Sequence, residues 1–263
     1  AIIGDFKVEN KSDLVSILED IISLFDISNK PIMLLLGSSF FTLKSFDDSE
    51  LVSFSEDNPQ LLSKSPYLPD DTLVQYSRTT GDKLTSYHRV AYSNKKVMDT
   101  WIEVLSDLGE PIVGVTCSCI HLIEAITSKL KKFAILCDVD LSSTIVYLEK
   151  ENCELNTFKL PFGASNYIST DKKISEQFFE RLNNSISLII KKYGYTTPKD
   201  IFVIGEGIDK LEIDNLEIDQ KFKKIPQEIF MNFKVNKKID KSIVQENTSN
   251  LIKMASIAEI INK

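Results

Sequence analysis

The run Phe133-Ala134-Ile135-Leu136-Cys137-Asp138 is continuously apolar and ends in a carboxylate. A short run without polar alternation, bounded by polar residues, belongs to a strand covered on both faces. Asp138 to Thr144 turns the chain back into Ile145 to Leu148, Glu151-Asn152 makes a second turn, and Cys153 to Leu160 returns again before Pro161-Phe162-Gly163-Ala164 closes the meander. A helix then runs from about Asp171 to Tyr193, with Ile174, Phe178, Leu182, Ile186 and Ile189 on one stripe and Gly194 as its stop. Asp200-Ile201-Phe202-Val203-Ile204 is a second buried strand, ending in the turn Gly205-Glu206-Gly207. Strand, hairpin return, long helix, strand and glycine turn require an α/β sheet covered by helices, in an order unlike that of a dinucleotide-binding domain.

The first half has the same alternation. Leu14, Ile17, Leu18, Ile21, Ile22 and Phe25 predict an amphipathic helix over Ser12 to Asp26, with Ser12 as its N-cap. Pro31 to Gly37 reads as a buried strand. Residues 38 to 71 are rich in Ser, Asp, Glu and Asn, broken by Pro59, Pro66 and Pro69, and read as an irregular, partly helical small subdomain. Thr72 to Tyr76 and Leu84 to Tyr92 flank a Gly81-containing turn and predict a hairpin. A helix from Ser93 to Leu108 ends at Gly109, followed by a strand over Pro111 to Val115 and a helix over Ser118 to Leu130. Beyond Lys221, Ile225, Ile229, Phe230 and Phe233 predict one packed segment and Leu251 to Ile261 a last helix, with a Lys-rich loop between them.

Composition removes several classes of function. With 43% apolar and 26% charged residues, a chain of 263 residues can bury a sizeable core and is not disordered. A formal charge of −7 with dispersed Lys and Arg argues against a nucleic-acid partner. No apolar run reaches the roughly 18 residues of a membrane span, and the first residues lack the pattern of a signal peptide, so a cytosolic protein is expected. The chain starts at Ala1 without Met, from which we expect that N-terminal residues are missing. Cys117, Cys119, Cys137 and Cys153 lack the paired spacing of a metal site and read as small buried residues, and His88 and His121 as structural histidines. Neither a nucleophile elbow, a zinc-protease helix, a Walker loop nor a Rossmann fingerprint occurs. Only nine residues are glycine, about half of average usage, which disfavours a site built on several Gly-rich phosphate loops.

These motifs in this order resemble the actin-like ATPase superfamily, and within it the type IV pilus assembly family of PilM. In that family a second-lobe strand ends in D-I-G-x-S-x-T and, after a two-stranded excursion, reaches I-P-I-G-G. Here Asp138-Val139-Asp140-Leu141-Ser142-Ser143-Thr144 and Leu160-Pro161-Phe162-Gly163-Ala164 stand at similar spacing. Val203-Ile204-Gly205-Glu206-Gly207 looks like the adenosine-side glycine turn. Leu105 to Ile112 resembles the segment that leaves a small inserted subdomain, and Ser65 to Asp71 resembles that subdomain's I-P-L-P-x-E-E segment. The resemblance runs from about Asn10 to Gly207. It implies a two-lobed actin-like (ribonuclease H-like) fold: an incomplete first lobe over 1–132 with an inserted α/β subdomain at about 38–110, and a second lobe over 133–263.

By the same resemblance, ATP and Mg²⁺ would be the cofactors. Asp138 would hold the metal through water, Ser142, Ser143 and Thr144 would line the phosphates, and Gly163, Gly205 and Gly207 would let backbone approach the nucleotide. The chain departs from the pattern at Asp140, where the family has glycine, so two carboxylates stand close at a cost of kilocalories unless a cation intervenes. The first phosphate loop has no counterpart in residues 1–9. A solvated strand-end turn and a working site both remain open for Asp138 and Asp140. The resemblance also implies a groove for the cytoplasmic tail of PilN, a bitopic inner-membrane protein, near Leu73, Val74, Tyr76, Tyr87 and Val90; a hairpin packed on its own lobe is the alternative. The expected function is therefore a cytoplasmic adaptor at the inner membrane with a degenerate nucleotide site and no catalytic residues. The alternatives are the actin-like domain of a type II secretion platform protein, or a small-molecule kinase or ATPase of the same superfamily.

Overall fold

The structure is a computed structural model, and it describes residues 11–25, 31–47, 58–80, 86–109, 111–117, 119–120, 122–123, 126, 134–149, 155–195, 198, 200–211, 219, 221–225, 249 and 251–255. The elements in chain order are α1 (Lys11–Phe25), β1 (Ile32–Leu36), β2 (Phe41–Asp47), α2 (Pro59–Leu62), β3 (Thr72–Thr80), β4 (Ser86–Asn94), α3 (Lys95–Asp107), β5 (Ile112–Cys117), β6 (Ala134–Val139), β7 (Thr144–Glu149), β8 (Leu155–Leu160), α4 (Lys172–Tyr193), β9 (Ile201–Ile204), α5 (Glu206–Lys210) and β10 (Phe222–Lys224). Residues 119–120, 122–123, 126, 249 and 251–255 are also helical.

The main sheet has the order β10-β9-β6-β7-β8. Its central strand β6 is parallel to β9 and antiparallel to β7, with Asp138 opposite both Ile204 and Ile145. Both faces of β6 are covered, which is why its apolar run shows no alternation. Ile135, Cys137 and Val139 pack with Val146, Leu148 and the α4 residues Phe178, Leu182 and Ile186. Leu136 packs on the other face with Leu122, Ile123, Ile126 and Ile252. Asp171 caps α4 by accepting from the Lys173 N–H at 3.0 Å, and Gly194 ends it in the left-handed conformation.

β1 and β5 form a parallel pair, with Leu36 opposite Cys117. A third sheet has the order β2-β4-β3. Its edge strand β2 lies along β8 of the main sheet, joined through side chains: the Leu43 N–H donates to Thr157 Oγ1 at 2.9 Å and Ser45 Oγ to the Leu155 carbonyl at 2.9 Å. A second link is the buried ion pair of Arg89 on β4 with Glu149 on β7.

Three elements differ from the sequence reading, one of them α5, which follows on from what was expected to be only a glycine turn. The stretch expected to be irregular contains strand β2, hidden because Leu43 and Phe46 face opposite sides and are buried in different clusters. Period-2 alternation is thereby broken. β10 carries two exposed lysines in three residues and gives no strand signal. Of the predicted last helix only 251–255 is described, and the segment through Ile229, Phe230 and Phe233 lies outside the described residues, as do His121 and Cys153.

Candidate functional site

β1, β5 and β6 deliver their C-terminal ends to one place. Asp138, 1% exposed, sits there near the end of β6 on the face opposite α4. Ser38, just beyond β1, donates its hydroxyl to Asp138 Oδ2. Cys119, just beyond β5, donates its thiol to the same oxygen at 3.3 Å. Lys253, from the helical residues 251–255, places Nζ 2.6 Å from Oδ1. Burial alone would lower the lysine's pKa, but Asp138 outweighs it and the ammonium is held above its ordinary value. Burial and then Asp138 push the Cys119 thiol well up, so it remains a neutral donor.

The turns around this carboxylate are packed on one another. A Cβ at Gly163 would stand 2.3 Å from the Asp140 carbonyl oxygen, and one at Gly205 2.3 Å from that of Val139. At Gly207 it would meet the Ala164 Cβ at 2.7 Å. Each glycine thus lets the chain touch its own backbone or its neighbouring turn. Thr144 donates its hydroxyl to the Phe162 carbonyl at 2.9 Å, tying the first turn to the second. Ser143 is buried and Ser142 exposed. The Ser249 hydroxyl accepts from the Gly205 N–H at 2.9 Å and lies 2.9 Å from Asp209 Oδ1.

A hydrated magnesium ion needs a carboxylate free to face its waters. Here one Asp138 oxygen is engaged by an ammonium and the other by a hydroxyl and a thiol. The residues present do not fit the metal role that the resemblance gives to Asp138.

Asp140 is half-buried at the mouth of the turn. Burial, and after it the Asp138 charge, push its carboxyl up to about 6. An acid whose folded pKa lies above its unfolded value of roughly 3.9 binds its proton more tightly in the fold. The stability it contributes is full below about pH 4 and is lost as pH rises through about 6. Asp140→Asn should therefore raise Tm at pH 7.5, by the equivalent of about 1 kcal/mol after allowing for solvent screening. Melting curves from pH 4 to 8 should show the gain vanish toward pH 4, and a pH-independent difference would contradict this account.

Of the residues expected to face a partner, Leu73 is 41% exposed on the edge strand β3. Val74 and Val90 are buried with Phe46, Leu61 and Tyr92, under Leu62 and Tyr67. Tyr76 and Tyr87 stand in β3 and β4, opposite Val90 and Asp47 respectively, and their side chains lie outside the described residues. Lys253, Ser38 and Cys119 are the site residues that sequence reasoning missed as a group. Lys253 is 115 positions from Asp138, and no local spacing announces such a pair.

No family model and no curated protein matches the chain. Among solved structures, a chain of the PilM–PilN type IV pilus biogenesis complex superimposes with a TM-score of 0.66 at 12% identity, over 95% of this chain and 86% of that one. A Bacteroides thetaiotaomicron protein of actin-like ATPase fold and unknown function gives 0.48 at 13% identity, covering 93% and 80% of the two chains. The cytoplasmic domain of EpsL, an inner-membrane component of the Vibrio cholerae type II secretion system, gives 0.46 at 11%, covering 98% and 84%. The chain is an α/β protein of the actin-like ATPase fold. Within that class its architecture follows that of the pilus complex chain along nearly its whole length, a likeness of fold. Among the described residues no helix is long and apolar enough to cross a membrane.

Proposed function

We propose that this protein is an actin-like adaptor of an inner-membrane assembly platform of the type IV pilus kind, acting in the cytoplasm without nucleotide turnover. Its partner would be the cytoplasmic tail of a bitopic, PilN-like membrane protein. The observation that carries this reading is the likeness of fold, over 95% of the chain, to a protein solved as part of the PilM–PilN complex. The lysine on Asp138 supports the second half of it, since a carboxylate already neutralised by the chain is a poor partner for Mg·ATP. On this reading Ser142 and Ser143 face no nucleotide, and Thr144, Gly163, Gly205 and Gly207 serve to hold the turns together.

The probe is a synthetic peptide of the cytoplasmic tail of the PilN-like protein from the same genome. Fluorescence anisotropy should give a Kd on the order of micromolar. Leu73→Asp should weaken it about tenfold, as loss of an interface anchor does. Leu188→Asp, on the exposed face of α4, should leave it unchanged. Absence of binding would sink the adaptor reading, and a rise in Tm together with turnover at millimolar Mg·ATP would put an ATPase in its place.

A further inference from the structure

Asp138 is where four separated pieces of chain meet. β6 supplies the carboxylate, the ends of β1 and β5 supply Ser38 and Cys119, and residues 251–255 supply Lys253. The last piece is fastened at two consecutive helical turns. Ser249 is tied to Gly205 and Asp209 at the end of β9, and Lys253 to Asp138 at the end of β6. Between and beyond them Ile252 and Ala255 enter the core that also contains Leu136, Leu122 and Ile204.

A carboxylate this deeply buried stays ionised only beside a cation, because leaving it charged and unpaired is far costlier than any single packing contact. Ser38 and Cys119 are neutral donors and do not cancel the charge. The second carboxylate, Asp140, stands two residues away on the same turn and brings another acidic group to the junction. The cation must therefore be either a solute ion or part of the chain. Lys253 is 7% exposed and its Nζ is within hydrogen-bond distance of Oδ1, so the chain supplies it. A tethered ammonium needs no concentration in solution and excludes a competing ion for as long as residues 251–255 stay docked.

We propose that Lys253 is a built-in counter-cation of Asp138 that stands in place of a divalent metal, so that the four-segment junction is assembled independently of any soluble ion; with Lys253 removed, the junction becomes a cation site. This rests on the reading of a nucleotide-independent adaptor and gives it a mechanism. An internal salt link between β6 and residues 251–255 stands where the resemblance would place a bound ion, and Ser38 and Cys119 bring the first half of the chain to the same carboxylate.

The test uses the full chain and its melting temperature. Lys253→Ala should lower Tm by about 10 °C, because it strands the carboxylate. MgCl₂ or ethylammonium chloride at millimolar concentration should restore part of that loss, beyond what NaCl of equal ionic strength does. The same salts should leave the wild type and the Asp138→Asn/Lys253→Met variant unmoved. That double variant removes both charges and should regain most of the lost stability. If Lys253→Ala does not fold, a folded double variant still upholds the proposal. It is overturned if Lys253→Ala melts like the wild type, or if its Tm ignores both cations. It is also overturned if the double variant is no more stable than the single one, or if Mg²⁺ alone stabilises the wild type. Failure of the tail peptide to bind, with these results intact, would remove the adaptor reading and leave the counter-cation standing.

Discussion

Gly205→Ala should leave little of the protein folded at 37 °C. Gly205 joins β9 to α5 with φ at 116°, a region that residues with a side chain avoid. The conformation alone costs of the order of 1–3 kcal/mol once a Cβ is present. The larger part is steric, since that Cβ would lie 2.3 Å from the Val139 carbonyl oxygen, 2.7 Å from its nitrogen and 2.8 Å from Asp138 Oδ1. The first two are backbone atoms of the central strand, paired on both sides, and cannot swing away as the end of a lysine could. β9 would have to separate from β6, or Asp138 from its three donors. We expect a loss of about 4 kcal/mol or more, against a total stability of roughly 5–15 kcal/mol for a domain. Gly37→Ala is the control, with φ at −63° and nothing within 4 Å of the added carbon. It should stay within about 0.5 kcal/mol of the wild type. Urea unfolding of the two variants side by side decides the matter, and equal midpoints would show that the turns yield more readily than their geometry implies.

That contrast also shows where sequence reasoning stops. β6, α4 and β9 were legible because each carries its own pattern: an unbroken apolar run, a stripe at helical spacing, a glycine stop. β2 was not, because its apolar residues serve two different cores on opposite faces. Gly163, Gly205 and Gly207 were picked out by the resemblance, which assigned them to the approach of backbone to a nucleotide. What each approaches, the neighbouring turns of the same chain, depends on how three loops stack. Asp140 was legible as a conflict of charge that called for a cation. The answer to that conflict was illegible, since the residues around Lys253 give no hint of a partner 115 positions away.

Arg89 is the second such long-range partner, and its removal should be nearly as damaging. The guanidinium on β4 meets the Glu149 carboxylate on β7, with side-chain exposures of 10% and 3%. The pair crosses from the three-stranded sheet to the main sheet, close to the line where β2 and β8 meet through side chains alone. No backbone ladder joins the two sheets among the described residues, so their mutual placement rests on Leu43, Phe41 and Ala91 packing into the shared core and on these polar links. Arg89→Met keeps much of the apolar stem but strands Glu149 in a site from which water is excluded. Breaking one side of such a pair costs about 3–5 kcal/mol, or about 10 °C in Tm for a chain of this size. Arg89→Met/Glu149→Leu should lose much less, because desolvation of both charges is then avoided. The coupling between the two substitutions, read from a double-mutant cycle, measures what the ion pair contributes beyond packing. Should the single and double variants melt together, the apolar contacts alone would be holding the sheets in register. The salt link would then be a passenger of that packing, and the surface around Leu73 would owe its position to Leu43 and Phe41 instead.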